Sequence, residues 1–142
     1  MTFDQLFMNR KLKDIEGYVG EVKNLLSFSN KEILEDSIKM HTAERLVQLI
    51  VDAMVDVNQH IIKEKRLKEF EDFQSAFYVL ARNKVLPEDF ANKVAPVVAV
   101  RNRIVHGYES LDKKLFIKNL RKNYSDFGDY IKIIKIYLKK KN

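Results

Sequence analysis

The sequence predicts an all-α fold, and three features lead to this class. Only four Gly and two Pro occur among 142 residues, whereas residues that favour helices, such as Leu, Lys and Glu, are abundant. Apolar side chains recur every three to four residues along most of the chain, which is the spacing of amphipathic helices. Because the length and the 46% hydrophobic content suit one core, we expect residues 1–142 to form a single helical domain.

Five helices in a bundle are expected, and local signals set the ends of the first two. The first should cover about residues 4–26, where apolar residues repeat at helical spacing. The second should begin after Ser29, which forms a capping-box pattern with Glu32, and continue unbroken to about Lys63. Its middle, residues 46–57, is apolar nearly all the way round. This pattern predicts burial both by the core and by a partner chain.

The third and fourth helices follow from aromatic spacing, proline and glycine. The third should cover about residues 70–82, with Phe73 among the phenylalanines that share its core-facing side. The fourth should start at Pro87, whose fixed φ suits a first helical turn, and should be kinked by Pro96. It should end near Gly107, since glycine readily takes the left-handed conformation after a helix.

The fifth helix is expected to start after Asp112 and to bend near Gly128, and it carries much of the positive charge. The net charge of the chain is +6, and a basic surface attracts polyanions such as nucleic acid. A solvated face explains such a run equally well. The basic residues of this part are Lys113, Lys114, Lys118, Arg121, Lys122, Lys132, Lys135 and Lys139 to Lys141.

Several classes of protein are excluded by what the sequence lacks. The chain has no cysteine, so a disulfide framework, a thiolate metal site and a cysteine nucleophile are ruled out. It shows no leader pattern, and its longest uncharged apolar stretch, residues 94–100, is too short to cross a bilayer. The Glu-x-x-His pairs of a di-iron bundle are also missing. We therefore expect a cytoplasmic protein with no membrane contact, no metal and no cofactor.

One segment at the end of the fourth predicted helix combines residue types suited to RNA cleavage. It reads Arg101-Asn102-Arg103-Ile104-Val105-His106-Gly107-Tyr108. Cutting RNA without a metal requires two proton transfers and stabilisation of negative charge at the phosphate. Histidine titrates near neutral pH, and arginine presents a charged planar fork to phosphate oxygens. Asn102 and His106 are four residues apart and share a helix face, so the amide could orient the imidazole.

This segment resembles the Arg-Asn-x-x-x-His-x-Tyr motif of the HepT-like toxins, a family of the HEPN superfamily. The resemblance extends over about residues 31–138. It implies a metal-independent endoribonuclease, the toxin of a toxin–antitoxin pair, in which Arg101 binds phosphate and His106 is the acid–base catalyst. Asn102 would be a polar support. It also implies a two-fold homodimer that brings both motifs to one cleft for RNA, and we expect pairing through the second and fourth predicted helices.

The same resemblance implies a protein partner. A minimal nucleotidyltransferase antitoxin would inactivate the toxin by AMPylation, with Tyr108 as the modified residue. An alternative function is a non-catalytic helical adaptor or nucleotide-binding partner of such a nucleotidyltransferase. The intact motif favours the enzyme.

A polar stripe interrupts the otherwise apolar second predicted helix. Glu44, Gln48 and Asp52 repeat there at four-residue spacing, and polar groups in such a helix need partners. They either line the cleft beside Arg101 or cap a buried interface, and the sequence favours neither.

Overall fold

The computed structural model describes residues 4–68, 70–107 and 111–141, so Tyr108 lies outside the described residues. Within these ranges the chain forms eight α-helices and no strand, which confirms the all-α class there but not the predicted number of five helices. The helices are α1 (Gln5–Leu25), α2 (Asn30–Glu35), α3 (Ser37–Glu64), α4 (Phe73–Arg82), α5 (Glu88–Val94), α6 (Val97–His106), α7 (Lys113–Asn123) and α8 (Ser125–Lys141).

The second predicted helix is divided at Asp36 into α2 and α3. The capping box of Ser29 and Glu32 starts α2 as predicted, but the backbone of Asp36 is extended, with φ −115° and ψ 107°. Its carboxylate accepts hydrogen bonds from the backbone N–H groups of Ile38 and Lys39 and pairs with Lys39 Nζ at 2.8 Å. Such local bonds compete with a continuous helix, so the chain turns and restarts.

The fourth predicted helix is divided at Pro96 into α5 and α6. Proline has no N–H to donate to the preceding turn, and the Ala99 N–H then bonds back only three residues, to the Pro96 carbonyl at 3.1 Å. Gly107 ends α6 with φ +66°, as predicted. Its N–H donates to the Arg103 carbonyl at 3.0 Å. Arg101, Asn102 and His106 therefore lie on a short helix that begins after Pro96 and ends at Gly107.

Two further boundaries differ from the predictions. The fifth predicted helix is divided into α7 and α8 at Tyr124 rather than bent at Gly128, and the Phe127 N–H bonds to the carbonyl of Tyr124, only three residues back. Helix α4 starts at Phe73, three residues later than expected. The reason is a capping box in which the Asp72 carboxylate accepts from the Ser75 N–H at 2.7 Å.

Helix α3 is the centre of the fold and packs against α1, α2, α4 and α6. Its apolar middle is buried by helices of the same chain, as the sequence predicted for the core side. Tyr130 of α8 places its hydroxyl 2.6 Å from Asn58 Oδ1 on α3, and complete burial raises the pKa of this hydroxyl well above its ordinary value. No helix of the described residues is long and apolar enough to cross a membrane.

Arg121 of the basic run fastens α7 to the turn that follows α1. Its Nε donates to Asn30 Oδ1 at 2.8 Å, and its two terminal nitrogens donate to the carbonyls of Leu26 and Phe28 at 2.9 and 2.7 Å. These bonds satisfy carbonyl groups of the turn between α1 and α2, where helical partners are missing. Arg121 therefore stabilises the packing of α7 against the turn after α1. Its guanidinium is already engaged, so not every cation of the basic run is available to a polyanion.

Candidate functional site

The motif residues on α6 face a cleft between α6 and the start of α4. Its volume is about 410 Å³. The residues that line it are Glu71, Asp72, Phe73, Gln74, Val98, Ala99, Arg101, Asn102 and His106. Three residues predicted for the site, Arg101, Asn102 and His106, are thus brought together on one wall. Tyr108 lies outside the described residues, two positions past the end of α6.

Arg101 is held in place by two side chains. Its Nε donates to Asp52 Oδ1 at 2.8 Å, and one terminal nitrogen donates to Asn102 Oδ1 at 3.1 Å. Only 18% of the Arg101 side chain is exposed, against 40% for Asp52. These contacts occupy two of the five N–H donors of a guanidinium. The role predicted for Asn102, a polar support that orients His106, remains a prediction.

Asp52 joins the site from α3, and the sequence pointed to it only as a member of the polar stripe. Its partner is 49 positions away, so helix spacing could not predict the pair. Glu44 and Gln48 of the same stripe are not among the described residues that line the cleft of a single chain. Glu44 Oε2 is buried and has no hydrogen-bond partner within the described parts of the chain. The cleft-lining role of these two residues remains a prediction.

Phe73 does not lie in the core, where the sequence analysis had placed it. Phe73 is 39% exposed and lines the cleft, whereas Phe77, one turn later, is fully buried. The reason is the late start of α4, which makes Phe73 the first residue of the helix. Aromatic spacing alone could not separate the ring at the helix end from the ring in the core.

Arg103, which occupies a variable position of the motif, faces a different groove. This groove of about 340 Å³ is bordered by Val97 and Val100 of α6 and by residues of α7 and α8, including Leu115 and Phe116. Since it lies on another side of α6, Arg103 is separate from the cleft that holds Arg101 and His106.

The cleft combines a guanidinium that can bind a phosphate with an imidazole that can transfer a proton. His106 is exposed at the last position of α6, where a nucleic acid can reach it. No group of three or more His, Cys, Asp or Glu side chains in the described ranges is placed to hold a metal ion. The chemistry that these residues support is acid–base cleavage of a phosphodiester.

Comparisons with known proteins identify relatives over nearly the whole chain. The model of the family described as Ribonuclease HepT-like matches residues 15–134. The chain is 29% identical over 138 residues to the tRNA nuclease HepT of Aphanizomenon flos-aquae, covering 96% of this chain and 93% of that protein. It is 23% identical over 128 residues to the mRNA nuclease HepT of Shewanella oneidensis, covering 90% of each.

Solved structures share the fold. The tri-AMPylated HEPN toxin of Shewanella oneidensis, solved in complex with its MNT antitoxin, superposes with a TM-score of 0.86 at 19% identity, over 92% of this chain and 97% of that chain. The cytosolic protein YutE of Bacillus subtilis gives a TM-score of 0.87 at 17% identity, over 99% and 95% of the two chains. At these identities the likeness demonstrates a common helical fold.

Proposed function

Because the chain belongs to the Ribonuclease HepT-like family, whose model matches residues 15–134, we propose that it is a metal-independent endoribonuclease acting at the α4–α6 cleft. The observation that carries this proposal is the placement of Arg101 and His106 on one wall of that cleft. The curated relatives are named as nucleases of tRNA and of mRNA, and RNA is the proposed substrate class here.

The proposed reaction starts at a ribose 2′-hydroxyl. A neutral histidine removes its proton, and the 2′-oxygen attacks the adjacent phosphorus while Arg101 stabilises the negative charge on the phosphate oxygens. The bond from phosphorus to the 5′-oxygen breaks, and a protonated histidine supplies a proton to that oxygen. The products are a 2′,3′-cyclic phosphate and a 5′-hydroxyl.

This sequence of steps uses two histidines, whereas His106 is the one histidine that the described residues of a single chain contribute to the cleft. We propose a two-fold homodimer in which both copies of α6 face one RNA strand. Val105, beside His106, supports pairing near the motif, because this apolar residue is 40% exposed. A dimer would also provide two arginines for the phosphate backbone.

Purified wild-type protein incubated with tRNA or mRNA in the presence of EDTA tests the proposed function. We expect cleavage at a rate within about twofold of that without EDTA, because acid–base chemistry by histidine needs no metal. Cleavage that requires added Mg²⁺ would contradict metal independence. A dimer that cuts none of these RNAs would instead favour the non-catalytic adaptor.

The proposed regulator is a minimal nucleotidyltransferase antitoxin. The structural relative from Shewanella oneidensis is described as tri-AMPylated and bound to an antitoxin. In this chain we propose Tyr108 as the acceptor: its phenol oxygen would attack the α-phosphorus of ATP and release pyrophosphate. The added AMP would bring a negative phosphate and a base two positions from His106, where they would compete with RNA.

Replacement of Tyr108 by phenylalanine is expected to separate activity from inhibition. The variant should still cut RNA, because the phenol takes no part in the proposed chemistry, but co-expression with the antitoxin should no longer neutralise it. Mass spectrometry of co-expressed wild-type protein should show AMP additions on the peptide that contains Tyr108. An inhibited wild-type sample without any such addition would contradict this regulation.

A further inference from the structure

We propose that Phe73 is the platform on which one base of the RNA stacks while the neighbouring phosphate lies on Arg101. This inference rests on the proposed ribonuclease function and adds to it a residue that recognises the substrate. Phe73 contributes an exposed aromatic ring to the cleft that also contains Arg101 and His106.

The ring is held at the rim of the cleft by the start of α4. The capping box of Asp72 and Ser75 fixes the backbone on both sides of Phe73, with bonds of 2.7 and 3.1 Å between backbone N–H groups and side-chain oxygens. Phe77 is buried one turn later and anchors the helix in the core. Because the backbone at Phe73 is already fixed, little backbone entropy is lost when a base stacks on the ring.

The two walls of the cleft differ in charge. This difference indicates which part of a nucleotide lies against each wall. The α6 wall carries Arg101 and His106, which suit the phosphate and the reacting oxygens. The α4 wall carries the carboxyl groups of Glu71 and Asp72 together with the amide of Gln74. Carboxylates repel a phosphate, so the α4 wall suits the uncharged part of a nucleotide.

Among the parts of RNA, the base is the one that fits an exposed ring. Every base has a flat π-face that stacks on aromatic side chains, and unpaired bases in single strands are free to do so. The cleft volume of about 410 Å³ lies in the range of about 300–1,000 Å³ found for ligand pockets. The preferred substrate is therefore RNA that is single-stranded at the cut.

The test compares Phe73→Leu and Phe73→Trp with the wild type on a single-stranded RNA that the wild type cuts. Leucine keeps an apolar side chain but removes the π-face, and we expect kcat/KM to fall about tenfold, the scale of one lost stacking contact. Phe73→Trp keeps a π-face, so its kcat/KM should lie within about threefold of the wild-type value. Phe28→Leu is the matched control, since Phe28 is 38% exposed and does not line the cleft.

A set of RNAs with one abasic nucleotide each locates the stacked base. For the wild type, an abasic nucleotide at one position beside the cut should lower kcat/KM about tenfold, and Phe73→Leu should lose nothing further on that RNA. Equal losses for Phe73→Leu on every RNA in the set would show a structural role and overturn the proposal. An unchanged kcat/KM in Phe73→Leu would also overturn the proposal. A changed oligomeric state of Phe73→Leu by light scattering would overturn it as well, because it would mean that a protein surface covers the ring.

The wild-type protein distinguishes this inference from the proposed function. If it cuts no RNA, the ribonuclease proposal fails and the stacking proposal fails with it. If it cuts RNA through His106 while Phe73→Leu matches the wild type, the stacking proposal fails alone.

Discussion

Replacing His106 with alanine is expected to lower kcat for RNA cleavage at least ~100-fold, the usual scale for the loss of an acid–base group. His106 is the histidine that lines the cleft in the described residues, and its removal from both copies of a dimer would take away both proton transfers. Initial rates at neutral pH with one RNA at saturating concentration, in excess over enzyme, measure kcat.

His41→Ala is the matched control for this experiment. His41 is also exposed on a helix but does not line the cleft, so its removal should leave kcat within about twofold. Light scattering and thermal unfolding should show that His106→Ala keeps the size and stability of the wild type. Activity retained in both His106→Ala and Arg101→Ala would place the active site elsewhere.

Charge reversal at Asp52 is expected to lower RNA cleavage about 100-fold, the scale set by misplacing a catalytic group by roughly 1 Å. Asp52 Oδ1 lies 2.8 Å from Arg101 Nε. A lysine at position 52 would put a cation against the guanidinium and push Arg101 away from the phosphate. Single-turnover rates of Asp52→Lys report this effect on the chemical step.

Asp56 offers a closely matched control, one turn further along α3. It pairs with Lys11 Nζ at 2.7 Å, and its side chain is 42% exposed, against 40% for Asp52. Asp56→Lys therefore creates an equivalent repulsion outside the cleft, with a similar cost in stability and no expected loss of activity. The Asp52→Asn variant, which keeps the shape but removes the charge, should fall between the wild type and Asp52→Lys.

Two outcomes would contradict a positioning role for Asp52. Equal losses of activity in Asp52→Lys and Asp56→Lys would mean that both act through stability alone. Full activity in Asp52→Lys would mean that Arg101 does not need this contact, and the role of Arg101 itself should then be retested with Arg101→Lys.

The helix ends that depend on local chemistry could be predicted from the sequence. The capping box at Ser29 and the left-handed Gly107 involve only neighbouring residues, so both can be recognised from the sequence alone. At Pro96 the sequence predicted a kink within one helix, whereas the structure has a break between α5 and α6. The division at Asp36 was missed because an aspartate also occurs within helices. Its backbone is extended here because the side chain caps the following helix.

From the sequence, only the site residues that lie on a single helix could be predicted. Arg101, Asn102 and His106 form a pattern within six residues of sequence, and the structure brings them to one cleft. Asp52 and Phe73 come from other helices, and nothing in their local sequence shows that they meet α6. Their positions follow from the packing of α3 and α4 against α6.

The chemical form of the RNA ends tests the central claim most directly, because it reports which oxygen attacks the phosphorus. RNA cut by the wild-type protein in EDTA should carry a 2′,3′-cyclic phosphate on one fragment and a 5′-hydroxyl on the other, as mass spectrometry of the fragments would show. The same products should be nearly absent with His106→Ala. Fragments that carry a 3′-hydroxyl and a 5′-phosphate would show attack by water instead of the 2′-hydroxyl, and would contradict the mechanism proposed for Arg101 and His106.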